Sequence, residues 1–405
     1  MESPKIKVGN VCVTGPLAPS AEEFGSHLLE LGYAPGTTEG HLRLLAHLSR
    51  WLDAGGLSTI DLADGRIGEF LAARRAAGYT ALISRRGLVP LLTFLAARGQ
   101  LPPARPCPPL SRSEQVLDAF RRYLLVERGV AASTADAYVL RAARFIADRA
   151  PDGQLDRLTT EDVTRSVACV SGSLSVGSAQ MFVAALRAFL RFCHIEGLAG
   201  ADLSAAALTV TGRRASSLPR GLSSSDVRAL LASCDRRRAI GRRDHAVIVT
   251  LLRLGLRASE VATLTLDDID WRAGEIVVHG KGRCDERLPL PVDVGEAIAG
   301  YLQRGRPVTD RREVFVTAIA PTTAVGRGAV SSIVRRACRR AGLDEVGAHL
   351  LRHTLACEMV QAGVPLPEIG QVLRHRSLVS TSNYARVDVA TLRTLAQPWP
   401  QGARS

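Results

Sequence analysis

Five prolines fall within the nine residues 101–109, and neither a helix nor a central strand can run through such a segment. Proline fixes φ and removes a backbone donor, so this stretch predicts an extended, semi-rigid linker that splits the chain into separate bodies. A second break, at 209–219, holds Gly212, Arg213, Arg214, Ser216, Ser217 and Pro219 and has no helical period. The pattern therefore predicts a flexible N-terminal tail (1–17), a helical N-terminal domain (18–104) and a Pro-rich linker (105–111). A second helical domain (112–208), a linker (209–219) and a third domain (220–405, with a C-terminal tail at 387–405) follow.

The first two domains carry related patterns. Phe24, Leu28-Leu29, Thr37-Thr38 and Trp51 in the first match Phe120, Leu124-Leu125, Ser133-Thr134 and Phe145 in the second. The offset stays at about 95 residues, as a duplicated unit would produce. Each copy reads as four or five amphipathic helices, with Thr38 and Thr134 as caps.

The third domain is mixed. Ser223 and Asp226 mark a helix start, and 246–254 reads as a buried helix. Segments 275–279 and 286–290 read as a hairpin around a Gly-rich, charged tip. Helical pattern returns at 330–341, 349–362, 365–373 and 378–387. The expected fold class is mainly α with a small antiparallel β-sheet in the third domain.

Charge narrows the partner. Lys and Arg number 52 against 39 Asp and Glu, a net +13, which points to a polyanion and to nucleic acid first. Aromatic residues make up only 4%, which disfavours base stacking on single strands and favours duplex. No apolar run approaches the ~18 residues of a membrane span, and Met1 to Ser20 has no secretion-signal pattern. The eight cysteines are scattered without a C-x-x-C pair, as in reduced thiols of a cytoplasmic protein. Only three basic residues are lysines, and past Lys5 and Lys7 the chain holds Lys281 alone.

Several polar residues stand where packing favours something else. Arg257 lies in Gly255-Leu-Arg-Ala-Ser-Glu260, at the start of a helix. His349 and Arg352 open an apolar helix in His349-Leu-Leu-Arg-His353. His375 lies in Leu373-Arg-His-Arg-Ser377, and Tyr384 follows nine residues later. Two arginines can clamp a phosphodiester's non-bridging oxygens, and a phenol can attack phosphorus to give a covalent phosphoprotein. A histidine can take the phenolic proton, and a lysine can protonate the leaving alkoxide. No carboxylate cluster accompanies them, so neither a metal nor another cofactor is expected. His353 reads as a packing residue, because the glutamate of an H-E-x-x-H zinc helix is absent.

These segments, with Gly280-Lys-Gly-Arg-Cys-Asp285 as a hairpin tip 24 residues after Arg257, resemble the signature boxes of the tyrosine recombinases, the lambda-integrase or phage integrase family with XerD- and Cre-like catalytic domains. The resemblance spans about 220–390 and fills six roles in order. It implies that Tyr384 attacks the scissile phosphate, Arg257 and Arg352 bind it, and Lys281 is the general acid. It further implies His349 as base or proton relay, His375 as a hydrogen-bond donor to phosphate, and Glu260 as the residue that orients the first arginine. Arg374 departs from the family's pattern, in which glycine commonly precedes that histidine; the departure is not expected to abolish activity.

The function so implied is a cytoplasmic, nucleoid-associated bacterial recombinase of a mobile element. It would act on double-stranded DNA as a homo-tetramer, alone or with other recombinases, through a 3′-phosphotyrosine and a Holliday junction. A type IB topoisomerase or telomere resolvase, and a catalytically idle DNA-binding accessory subunit, stay open as alternatives. For 18–104 the open roles are arm-type or accessory DNA binding and a protein–protein or autoinhibitory contact.

Overall fold

The computed structural model describes residues 5–101, 111–212, 221–280 and 285–374. It divides into two compact units, Met1–Pro103 with Ser217–Ser405, and Ala104–Ser216. Most of linker 105–111, the stretch 213–220, the hairpin tip at 281–284 and everything from 375 onward lie outside the described residues, including the helix expected at 378–387.

The N-terminal part of the first unit opens with an antiparallel hairpin, β1 (Lys5–Val8) and β2 (Val11–Thr14). Four helices follow: α1 (Ala21–Glu30), α2 (Pro35–Ala54), α3 (Asp64–Ala76) and α4 (Arg85–Ala97). Phe24, Leu28, Leu45, Phe70, Leu91 and Phe94 form their core, and Val11, Val13 and Leu17 join it. The expected flexible tail at 1–17 is thus corrected over residues 5–17. Ile6, Val8, Val11 and Val13 have the period of two that lays an apolar edge on the helices, but each strand is too short to stand out in sequence. Thr38 is corrected too: Pro35 starts α2, with fixed φ suited to the first helical position, and Thr38 is buried inside its first turn.

The second unit holds α5 (Arg112–Val126), α6 (Ala132–Arg149), α7 (Thr160–Ser173) and α8 (Val176–Ile195). Ser111 with Glu114, and Thr159 with Asp162, form reciprocal capping boxes that satisfy orphan amides of α5 and α7. Thr134 lies inside α6, whose start carries no side-chain cap. By length and composition α8 could cross a membrane. It is instead the core helix of this unit, burying Phe182, Leu186, Phe189 and Phe192, with Phe120 edge-on to Phe189 at 5.2 Å between ring centroids.

The remaining part of the first unit is built on α10 (Ala239–Leu254), whose Ala246–Leu252 run is buried on every side. Around it pack α9 (Ser224–Ala232), α11 (Ala258–Thr263), α12 (Val292–Arg304), α13 (Arg327–Arg340) and α14 (Ala348–Gln361). A short α15 (Leu366–Val372) closes against α14. Ser223 caps α9 as expected, accepting the Asp226 amide at 3.1 Å. The sheet is β3 (Ile269–Asp270), β4 (Glu275–His279) and β5 (Asp285–Pro289), antiparallel in that order. The fold is mainly helical with small antiparallel sheets, as expected.

Candidate active site

The site grows from two helix ends. Helix α10 stops at Leu254 because Gly255 takes a left-handed conformation (φ +57°), which only glycine adopts without a steric cost. The chain reverses there and delivers Arg257 to the residue before α11. Glu260, one turn on and buried, turns back on it. Its Oε2 accepts the Arg257 amide at 2.8 Å, and its Oε1 accepts Arg257 Nη1 at 2.6 Å. Held on one edge, the Arg257 side chain remains 39% exposed.

Burial works to raise the Glu260 pKa. The hydrogen bonds from Arg257 and the charges of Arg374 and Arg257 outweigh it, so the carboxyl lies below its ordinary range.

Helix α14 contributes His349 and Arg352, one turn apart on one face. Arg352 is only 1% exposed. Its Nη1 donates to the Gly255 carbonyl at 2.6 Å, and its Nη2 donates to the carbonyl of Leu373 at the end of α15. In this conformation Arg352 is a brace joining two helix ends, whereas Arg257 reaches solvent. Burial lowers the His349 pKa, and the positive charges of Arg352 and Arg257 lower it further, so its imidazole is neutral at pH 7. His353 packs edge-on against it with ring centroids 4.4 Å apart.

Lys281, His375 and Tyr384 lie outside the described residues. Of the predicted set, the structure brings together Arg257, Glu260 and Arg352, with His349 within their field.

Two residues escaped sequence reasoning. Arg374, marked in the sequence only as a departure from the family's glycine, is buried in the site, pairing with Glu260 at 3.1 Å and receiving Arg257 Nη2 on its carbonyl at 3.2 Å. It is also left-handed (φ +54°), a conformation costing a non-glycine residue roughly 1–2 kcal/mol. The family's glycine at this position was the available signal. The other is His279, at the base of the hairpin that carries Lys281. Its Nδ1 lies 2.7 Å from Asp285 and its Nε2 2.8 Å from Asp268. The strand register makes His279 and Asp285 cross-strand partners, which a correct hairpin alignment would have revealed.

The paired arginines Arg242-Arg243 and Arg339-Arg340 are partly committed internally. Arg243 is buried against Asp244, Arg340 reaches Asp244 and the Ser233 carbonyl, and Arg339 pairs with Glu345. A groove of about 770 Å³ lies between α9, α10 and α12, and none of the described candidate residues lines it.

The phage integrase family model matches residues 220–391, and that family's N-terminal SAM-like domain matches 117–197. The putative integrase/recombinase y4rA of Sinorhizobium fredii is 40% identical over 400 residues, 96% of each chain. The chain belongs to the phage integrase family. Members of this family, the tyrosine recombinases, are DNA strand-transferring enzymes. Tyrosine recombinase XerD of Mycobacterium tuberculosis is 30% identical over 295 residues, covering 68% of this chain and 94% of that one. In fold, the family neighbours include XerH bound to palindromic difH (TM-score 0.56, 19% identity, covering 83% and 95%). A lambda integrase dimer bound to a core site is similar (TM-score 0.51, 18% identity, covering 72% and 99%).

Proposed function

We propose that this tyrosine recombinase cuts and rejoins double-stranded DNA at a specific site, in the service of a mobile element in the bacterial cytoplasm. The observation that carries the reading is Arg257: a guanidinium anchored by Nη1 on a buried carboxylate and by Nη2 on the Arg374 carbonyl, its side chain still 39% exposed, beside a neutral imidazole. Such a fork suits the non-bridging oxygens of one phosphodiester.

In the proposed step Tyr384 Oη attacks phosphorus while His349 accepts the phenolic proton. The bond from phosphorus to the 5′ oxygen breaks, and Lys281 protonates that oxygen, leaving a 3′-phosphotyrosine and a free 5′-hydroxyl. Arg257 neutralises charge in the transition state. Arg352 holds the floor of the site and completes the clamp if its guanidinium turns from a main-chain carbonyl to phosphate. His375 donates to the same phosphate. The exchanged strand's 5′-hydroxyl then reverses the chemistry, so the bond energy is conserved. Two such exchanges pass through a Holliday junction and call for four protomers.

The net charge of +13 and the DNA-bound state of XerH and lambda integrase support a duplex partner. The N-terminal four-helix unit is proposed to grip DNA outside the core site, as a second copy of the unit at 112–208. Removing 1–104 should then shorten the DNase footprint; an unchanged footprint would assign that unit to protein contacts.

A nicked suicide duplex from DNA flanking the gene tests the whole reading. The wild-type chain should trap a covalent adduct and Tyr384→Phe should trap none. No adduct with either protein would leave an idle accessory subunit, and relaxation without exchange between two labelled sites would indicate a topoisomerase.

A further inference from the structure

Arg374 is the residue in the site that the family's pattern does not require. Helix α15 ends at Val372, Leu373 follows, and Arg374 takes the left-handed position at which glycine is the ordinary choice. Glycine there would relieve the backbone at no steric cost. The chain instead spends the position on a long cation, and 96% of that side chain is withdrawn from solvent, since only 4% is exposed.

Its direction is specific. Arg374 Nη2 lies 3.1 Å from Glu260 Oε2 and 3.4 Å from the Gly255 carbonyl. Nη1 donates to the carbonyls of Val372 at 3.2 Å and Leu254 at 3.4 Å. The main-chain oxygen of Arg374 accepts Arg257 Nη2 at 3.2 Å. Arg257 is thus held on two sides by one residue: directly by the Arg374 carbonyl, and indirectly by a carboxylate that Arg374 pins. Glu260 Oε2 is shared between the Arg257 amide and Arg374, while Oε1 is left for the Arg257 guanidinium. Without the Arg374 side chain only the Arg257 amide holds Glu260 Oε2, so the carboxylate loses one of its two anchors and Arg257 keeps a single firmly placed acceptor, the main-chain carbonyl.

We propose that Arg374 is a positioning residue for Arg257, acting through the Glu260 carboxylate and through the main-chain turn that only its left-handed conformation provides. The proposal rests on the reading of Arg257 as the phosphate-binding arginine. Arg374 does not itself touch the phosphate; it sets the angle at which Arg257 meets it. A misplacement of the order of 1 Å costs about 10²-fold in rate.

The test uses the full chain and a nicked duplex on which the wild type traps its covalent adduct. Arg374→Gly keeps the turn and removes the side chain. Its adduct formation at saturating protein should slow by about 10- to 100-fold, with DNA affinity within about threefold of wild type. The acid limb of its pH–rate profile should move to higher pH, because Glu260 has lost one of the two cations that keep it ionised. Arg374→Lys, which restores the charge, should recover part of the rate and return the acid limb toward wild type. The double variant Arg374→Gly with Glu260→Gln should be no slower than the slower single, since both act on one path.

Arg257→Ala separates the two levels. If it abolishes adduct formation while Arg374→Gly reacts at the wild-type rate with an unmoved acid limb, the positioning role is overturned and the site reading stands. If Arg257→Ala reacts like wild type, the site reading falls and takes the positioning role with it. Rates that multiply independently in the double variant also overturn the proposal. Should the glycine variant fail to fold, Arg374→Gln is read by the same criteria; failure of both to fold marks Arg374 as purely structural and overturns it.

Discussion

Arg352 Nη1 donates to the carbonyl oxygen of Gly255 at 2.6 Å, joining two residues 97 positions apart. The bond closes the left-handed end of α10 onto the start of α14, and its second arm reaches Leu373 at the end of α15. A single buried guanidinium therefore fixes the mutual placement of three helix ends that frame the site.

This contrast between the two arginines is testable. Arg352→Ala takes the Arg352 donor from the Leu373 carbonyl, leaves the Gly255 carbonyl only its longer bond from Arg374 and opens a void, so unfolding in urea should show a loss of about 2–4 kcal/mol. Arg257→Ala removes a partly exposed group whose carboxylate partner keeps Arg374, and stability should fall by less than about 1 kcal/mol. Strand cleavage should vanish in both. Equal destabilisation by the two substitutions would show that Arg257 is a brace as well.

Lys281→Arg should preserve DNA binding and fold while slowing cleavage by about 10²-fold or more. Phosphate contacts tolerate the exchange, but a guanidinium with a pKa above 12 yields its proton poorly beside an ammonium near 10.4. A substrate with a 5′-thio leaving group, which needs no proton, should erase the defect in burst-phase cleavage. A defect that persists with the thio substrate would remove Lys281 from the general-acid role.

His279 links hairpin order to pH. Its pKa is raised, first by the hydrogen bond to Asp285 and then by that to Asp268. A raised pKa contributes stability that is complete below about 6.5 and is lost as pH rises through the folded value. Amide exchange at Val277 and Val278 should therefore accelerate, beyond the intrinsic effect of base, as pH climbs above about 6.5. His279→Asn should exchange faster at pH 6 and show no such step. A wild-type imidazole that titrates at or below 6.5 by NMR would contradict the clamp.

His349 and His353 act in the opposite sense. Burial leads the lowering of both pKa values, followed for His349 by Arg352 and Arg257 and for His353 by His349 and Arg352. The folded chain then binds fewer protons than the unfolded one, so stability is full above about pH 6.5 and falls as acidification proceeds through the folded values. Thermal melts should show that decline, and His353→Gln should flatten it without removing cleavage. His349→Gln should flatten it as well and lose most of the cleavage rate, as the proposed proton acceptor would.

Much of the architecture was legible along the chain. The capping pair Ser223 and Asp226, the apolar run at 246–254 and the alternation on both sides of the 280–285 turn are short-range signals, and each produced its element. The hairpin at 5–14 was not legible, because two four-residue strands gain their stability from the helices beneath them rather than from their own pattern. The same holds for α2, where a proline start replaced the threonine cap.

Residue type, order and spacing alone determined the family and the mainly helical class and singled out Arg257, Glu260, His349 and Arg352 as candidates, since those depend on local period and on chemistry that particular side chains can perform. Only the tertiary structure decided that Arg352 is buried while Arg257 is open, that Arg374 folds under Glu260, and that His279 stands between two carboxylates. Those relationships join positions up to 114 residues apart. They depend on where two helix ends meet in space and on which groups lose water there, and neither quantity is written in any local stretch of sequence.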